Sequence, residues 1–232
     1  MTDTLEGREI FKNADHKIVI AIDGPAASGK GTLARNLARR FGFAHLDTGM
    51  LYRGLGYHVL KNGFDPENRD DVKQVLTGFL DILDDNYLKT PELRTDETGS
   101  AASKVAAIDF VRAALLDYQR NFKNLQDDNT FGVVLDGRDI GTVICPDADL
   151  KVFVTASAEV RAKRRYDELV LRGYNTDFDT VLDDIKRRDA RDSGRDCAPL
   201  IAADDAHILD TSDMDADQAM DHVLLIIKDH LF

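Results

Sequence analysis

Gly24, Pro25, Ala26, Ala27, Ser28, Gly29, Lys30, Gly31 and Thr32 form a run whose residue types can hold the phosphates of a nucleotide. Glycines let a backbone curl until its N–H groups converge on an anion. The run stands between an apolar, β-branched stretch, Lys17 to Ile22, and an amphipathic one, Lys30 to Phe41. Strand, glycine loop and helix in that order add the partial positive charge of a helix start where the anion would sit. From there Lys30 reaches the β- and γ-phosphates, which makes it the first catalytic candidate. The hydroxyl that such loops aim at Mg²⁺ comes one place late, at Thr32 behind Gly31, and this weakens direct metal ligation by it. Asp136, after Val133 to Leu135, can end a neighbouring strand and help hold Mg²⁺ through water. A helix cap or turn is the alternative role for Asp136.

A second set of candidates is cationic. Arg188, Arg191, Asp192 and Arg195 are spaced i, i+3, i+4 and i+7. If a helix persists through Gly194, one face presents three guanidinium groups and a carboxylate, able to close over phosphates. A solvated ion-pair face is the alternative, as it is for Arg161, Arg164 and Arg165. The net charge of −12 works against a long polyanion or an anionic membrane as partner, because those require a basic face. Local arginine clusters still allow a positive cavity for small phosphates.

These groups need a scaffold. Composition is that of a water-soluble globular chain, with apolar runs such as Ile18 to Ile22 far too short to cross a bilayer. Residues 1–16 read as a variable tail without the apolar centre of an export signal, and 17–232 as one domain. Cys145 and Cys197 lack metal-binding spacing and fit a reduced cytoplasm; their separation neither supports nor excludes a bridge. Strands are expected at Lys17 to Ile22, Phe43 to Leu46, Gly132 to Asp136, Leu150 to Thr155 and His207 to Leu209. Helices are expected at Lys30 to Phe41, Gly49 to Lys61, Asn68 to Leu83, Thr98 to Ala107, Phe110 to Leu125, Ala158 to Leu171, Phe178 to Asp192 and Asp215 to Asp229. The alternation predicts an α/β fold: a P-loop NTPase-type, mainly parallel five-stranded sheet flanked by helices. A helical insertion at about 48–130 forms a subdomain.

Three further segments carry a resemblance. They are Leu46-Asp-Thr-Gly-Met-Leu-Tyr-Arg53, Asp136-Gly-Arg-Asp-Ile-Gly-Thr142 with Pro146-Asp-Ala148, and Arg188-Asp-Ala-Arg-Asp-Ser-Gly-Arg195 with Ala198-Pro-Leu200. With the glycine loop, whose Gly-Lys-Gly-Thr ending is that of nucleoside monophosphate kinases, they resemble the bacterial cytidylate kinases in order and spacing from about Ile18 onward. One departure is that Asp84 to Thr98 is brief where longer members carry additional strand-like sequence.

The resemblance implies a kinase that uses ATP and Mg²⁺ to phosphorylate CMP or dCMP, with the insertion as the monophosphate-binding part and about 160–196 as an arginine-rich lid. It implies that Ser103, Arg112 and Asp139 read the base, and that Arg53 and Arg138 grip the acceptor phosphate, to which a guanidinium binds in bidentate fashion. Asp47, Thr48 and Tyr52 would line the same pocket, Arg188 and Asp192 would lie near the ribose, and Arg195 near the transferring phosphate. Arg138, Arg188 and Arg195 join Lys30 as catalytic candidates. Plainer roles stand beside these: a salt bridge for Arg138, Arg53 or Arg112, close packing for Ser103, and capping or core packing for Asp47, Thr48 and Tyr52. No nucleic acid or membrane partner is expected, and a monomer is. The rivals are a uridylate or shikimate-type kinase with the same loop, and a nucleotide-gated binding module without transfer activity.

Overall fold

The computed structural model describes residues 11, 16–84, 86–127 and 129–231. Most of the tail expected at 1–16 therefore lies outside the described residues. The chain divides into two compact units, one from Asp47 to Gln119 and the other made of the described residues on either side of it.

The flanking unit is built on five strands: β1 (Ile18–Asp23), β2 (Ala44–Asp47), β3 (Gly132–Gly137), β4 (Leu150–Thr155) and β5 (His207–Asp210). Their spatial order is β2-β3-β1-β4-β5, with β1 parallel to both β3 and β4, and β4 parallel to β5. Every residue of β1 and β3 is buried. That is why both read as unbroken apolar runs rather than alternating ones. The register sets Asp23 beside Gly137 on one side and Phe153 on the other, so β1 and β3 end level at their carboxyl ends and β4 runs two residues further, to Thr155. Ligands of open α/β sheets collect at such an edge.

Helix α1 (Lys30–Phe41) lays Leu33, Ala34, Leu37, Ala38 and Phe41 against Ile18, Ile20, Ile22 and Val134 of the sheet. Gly42 ends it in the left-handed conformation, its N–H donating to the Ala38 carbonyl. Two helical pairs separate this part from the later strands. In the Asp47–Gln119 unit, α2 (Thr48–Lys61), α3 (Arg69–Ile82), α4 (Asp96–Val105) and most of α5 (Asp109–Asn121) enclose a core of Leu51, Leu55, Val59, Val72, Phe79, Val105 and Leu115. Gly56 permits a close crossing of α2 and α4, since a Cβ there would lie 2.8 Å from the Ala102 amide nitrogen. In the flanking unit, α6 (Ala158–Leu171) and α7 (Phe178–Ser193) pack Ala162, Leu169, Val181 and Ile185 around Ala26, while α8 (Ala216–Leu231) covers the sheet through Ala219, Val223 and Ile227.

Several boundaries differ from the sequence expectation. Side-chain caps set the starts of two helices: Asn68 accepts from the amides of Asp70 and Asp71, and Thr95 from that of Thr98, so α4 begins at Asp96 rather than Thr98. The helix expected through Leu125 ends as α-helix at Asn121 and tightens to a 3₁₀ turn at Phe122–Leu125. Residues Ile140–Ile144 form a π-helical turn that the sequence reading did not anticipate.

Candidate active site

The glycine loop leaves β1 and enters α1 as expected, and each of its two ends demands glycine. Gly24 has φ +149, and a Cβ on it would meet the Val154 carbonyl oxygen at 2.0 Å. Gly29 caps α1 at φ 89. Between them Pro25, Ala26 and Ala27 complete the loop, with Ser28 fully buried and its hydroxyl without a hydrogen-bond partner. Lys30 is half-buried and folds back so that Nζ donates to the Pro25 carbonyl at 3.3 Å. Thr32 is exposed and its hydroxyl accepts from Arg35 Nη2 at 3.3 Å.

Asp136 stands at the end of β3 beside the loop: a Cβ on Gly31 would lie 3.4 Å from its Oδ2. It is buried, and His45 Nε2 is 2.6 Å from Oδ1. A buried carboxylate facing the phosphate loop suits a hydrated Mg²⁺ brought by a nucleotide. Among the described residues no cluster of three or more His, Cys, Asp or Glu side chains could hold a metal ion.

The arginine segment is corrected in one respect. The helix does not persist through Gly194: α7 ends at Ser193, where the Gly194 N–H donates to the Ala190 carbonyl and the Leu200 N–H returns to the Asp192 carbonyl. Arg188, Arg191 and Asp192 share the helix, whereas Arg195 follows it and reaches back, its Nε donating to the Asp192 carbonyl at 3.3 Å. The charges still converge. Arg138 Nε donates to Asp192 Oδ2 at 2.8 Å, tying the residue after β3 to α7. Burial pushes the Asp192 carboxyl up, yet the charges of Arg138, Arg188 and Arg195 outweigh it and hold the group below the usual carboxylate range.

The other arginine cluster organises the scaffold. Arg161 donates to the carbonyls of Ala26 and Ala156 and pairs with Asp189, fastening the glycine loop to α6 and α7. Arg164 donates to the Thr211 hydroxyl and to the carbonyls of Thr211 and Met214, and Arg165 pairs with Glu168. A cavity of about 200 Å³ opens beside this anchor, lined by Gly29, Leu33, Val154, Thr211, Met214 and Ala219 among others. Sequence reasoning missed this wall, because Thr211 and Met214 carry no motif, and Thr211, whose hydroxyl donates to the Ser28 carbonyl of the loop at 3.1 Å, stands 183 residues from it in the chain.

In the Asp47–Gln119 unit, Asp47 is the N-cap residue of α2 without a side-chain cap bond, and Thr48 and Tyr52 are buried on that helix. Arg112, also buried, lies over the Tyr52 ring with its Cζ 5.4 Å from the centroid, and its Nη1 donates to the Ala106 carbonyl. The Ser103 hydroxyl is buried without a hydrogen-bond partner. Arg53 spends two bonds of Nη1 on the carbonyls of Leu93 and Thr95. Asp139 is buried in the flanking unit, at the start of the π-helical turn. Both cysteines are free, Cys145 buried and Cys197 exposed. No helix of the described residues is long and apolar enough to cross a membrane.

Comparison with known proteins agrees with this geometry. A solved structure of an uncharacterized protein from Eubacterium ventriosum superposes with a TM-score of 0.51 at 16% identity, covering 91% of this chain and 99% of its own, and so shares the fold. The chain is 55% identical over 210 residues to the cytidylate kinase of Rhodospirillum rubrum, covering 90% of this chain and 97% of that one. It is 54% identical over 211 residues to the cytidylate kinase of Xanthobacter autotrophicus, at 91% and 97% coverage. The cytidylate kinase family model matches residues 20–229. On these grounds the chain belongs to the cytidylate kinase family.

Proposed function

We propose that this phosphotransferase moves the γ-phosphoryl group of ATP onto CMP or dCMP with Mg²⁺, acting as a cytoplasmic monomer without nucleic acid or membrane partners. The observation that carries the reading is the convergence of Lys30, Asp136 and the Arg138–Asp192 pair on the carboxyl edge of the sheet, in a chain of this family.

Each group has a role that its chemistry allows. The amides from Gly24 to Gly31 and the start of α1 bind the donor phosphates, and Lys30, whose flexible stem leaves Pro25 when an anion arrives, follows the charge that spreads during transfer. Mg²⁺, when bound, would neutralise charge on the phosphates, and Asp136 and Thr32 are the residues that would hold it. The cavity by Thr211 and Met214 takes the donor's nucleoside.

On the acceptor side, the Ser103 hydroxyl has an unspent bond and Arg112 a rigid guanidinium braced on Tyr52, which suits them to the O2 and N3 acceptors of cytosine; Asp139 offers the carboxylate for its N4 amino group. Arg53 and Arg138 neutralise the acceptor phosphate, with Asp47, Thr48 and Tyr52 lining its pocket. Arg188 and Asp192 hold the ribose, and Arg195 meets the phosphoryl group in transit. The acceptor oxygen is already anionic and requires no general base. The segment from about 160 to 196 excludes water, which would otherwise compete as nucleophile.

The test is ADP release with Mg-ATP and each of CMP, dCMP, UMP, AMP, GMP and shikimate. Turnover led by CMP and dCMP, abolished by Lys30→Ala and made less selective by Asp139→Ala, is the expected result. Turnover led by another acceptor would overturn the pocket assignment.

A further inference from the structure

Asp23 closes β1 immediately before the glycine loop and is buried, 6% exposed. Its two carboxylate oxygens are both used, and both on one short segment: Oδ1 accepts from the Ile140 N–H and Oδ2 from the Gly141 N–H, each at 2.8 Å. Those are the leading amides of the π-helical turn Ile140–Ile144. The far end of the same turn is held by the opposite charge, since Arg120 donates through Nη2 to the Val143 carbonyl at 2.9 Å and through Nε to the Ile144 carbonyl at 3.2 Å. A carboxylate on the amide end and a guanidinium on the carbonyl end match the polarity of a helical turn. A π-turn is an unfavourable geometry that persists where surroundings over-determine it.

What this clamp holds in place is the pair Arg138 and Asp139. They form a two-residue bridge between the end of β3 at Gly137 and the turn that Asp23 grips. Asp139, at φ −144 and ψ 28, caps the turn, with its own carbonyl accepting from Val143 and Ile144. With β3 on one side and the Ile140 and Gly141 amides held by Asp23 on the other, the backbone from which the Asp139 side chain projects is fixed at both ends.

We propose that Asp23 is a positioning residue for acceptor selection: it acts through the π-turn to aim Asp139, and so couples the strand that feeds the donor loop to the group that reads the acceptor base. The inference rests on the assignment of Asp139 to the base. A carboxyl group suits the two incoming donors; an asparagine would oppose one N–H with its own NH₂.

The experiment compares wild type with Asp23→Asn, Arg120→Met, Asp139→Ala and the Asp23→Asn/Asp139→Ala double variant, measuring KM and kcat for CMP, UMP and ATP separately. Asp23→Asn is expected to raise the KM for CMP on the order of tenfold and narrow the CMP over UMP preference, with the KM for ATP within about twofold, since a displaced positioning group costs rate and selectivity steeply. Arg120→Met, which loosens the other end of the turn, should give the same split with smaller size even if Asp23→Asn does not fold. In the Asp139→Ala background the asparagine should add less than about twofold. Equal rises in both KM values, or full multiplication of effects in the double variant, would overturn the inference. A wild type that prefers another acceptor would instead remove the assignment of Asp139 on which it rests.

Discussion

His45 on β2 meets Asp136 on β3 with Nε2 2.6 Å from Oδ1, so the carboxylate that faces the glycine loop has one oxygen engaged by a ring held between strands. The other oxygen is the one that lies toward Gly31. Such a partner fixes the orientation of a carboxylate without touching the ligand itself, and removing groups of this kind costs metal sites roughly 10–100-fold in affinity.

His45→Phe keeps a ring of similar breadth and deletes the polar contact. The Mg²⁺ concentration giving half-maximal turnover should rise by about tenfold or more, with smaller change in kcat at saturating Mg²⁺. A fall in thermal stability with unchanged Mg²⁺ dependence would show that the pair only holds the strands together.

Gly24 and Gly29 lie five residues apart in the chain and make opposite predictions, although the sequence motif treats them alike. At Gly24 a methyl group would enter the Val154 carbonyl of the adjacent strand, backbone against backbone, and neither can yield. At Gly29 nothing lies within 4 Å of the added carbon, so the cost is that of a left-handed φ alone. Gly29→Ala should therefore lower stability by about 1 kcal/mol, and Gly24→Ala by several times that, or prevent folding. Urea unfolding midpoints decide between them; equal losses would mean that the loop yields at Gly24.

The contrast shows what a sequence can carry. Helix α1 and strand β4 fall at their expected residues because their signals are local: an apolar stripe at helical spacing behind a glycine, and an apolar run closed by polar residues. The end of α5 was overshot because a 3₁₀ turn at Phe122–Leu125 keeps nearly the same spacing of apolar residues as an α-helix. The π-turn was illegible for a different reason. Ile140-Gly-Thr-Val-Ile144 is β-branched and reads as strand, and the groups that bend it, Asp23 and Arg120, stand 117 and 24 residues from their partners at Ile140 and Ile144. Asp23 itself falls between the apolar run ending at Ile22 and the glycine loop and belongs to neither pattern. His45 was missed likewise, since its partner is 91 residues away. The glycine loop, by contrast, is contiguous, and its place between a strand and a helix was open to reading from the residues alone.

Asp23 and Asp192 also make separable predictions about acid. Burial pushes the Asp23 carboxyl up to about 6, with Asp139 adding to the rise, while the two amide bonds and Lys30 pull it back. Its ordinary value is near 3.8, so between pH 4 and 6 the native state retains a proton that the unfolded chain has released. Native stability from this group is therefore present in acid and lost as pH rises through about 6. Asp192, held below the usual range, has the opposite sign: its contribution is present above about pH 4 and lost as pH falls further. Measured by denaturant unfolding from pH 7 to pH 4, the stability of wild type relative to Asp23→Asn should grow as pH falls, by up to about 3 kcal/mol for a shift of this size. Relative to Asp192→Asn it should change little over that interval and fall only in stronger acid. Other titrating groups are common to each pair and cancel. A wild-type minus Asp23→Asn difference that stays flat from pH 7 to pH 4 would mean that Asp23 ionises as readily in the folded protein as in the open chain, and that the two amide bonds and Lys30 offset its burial in full.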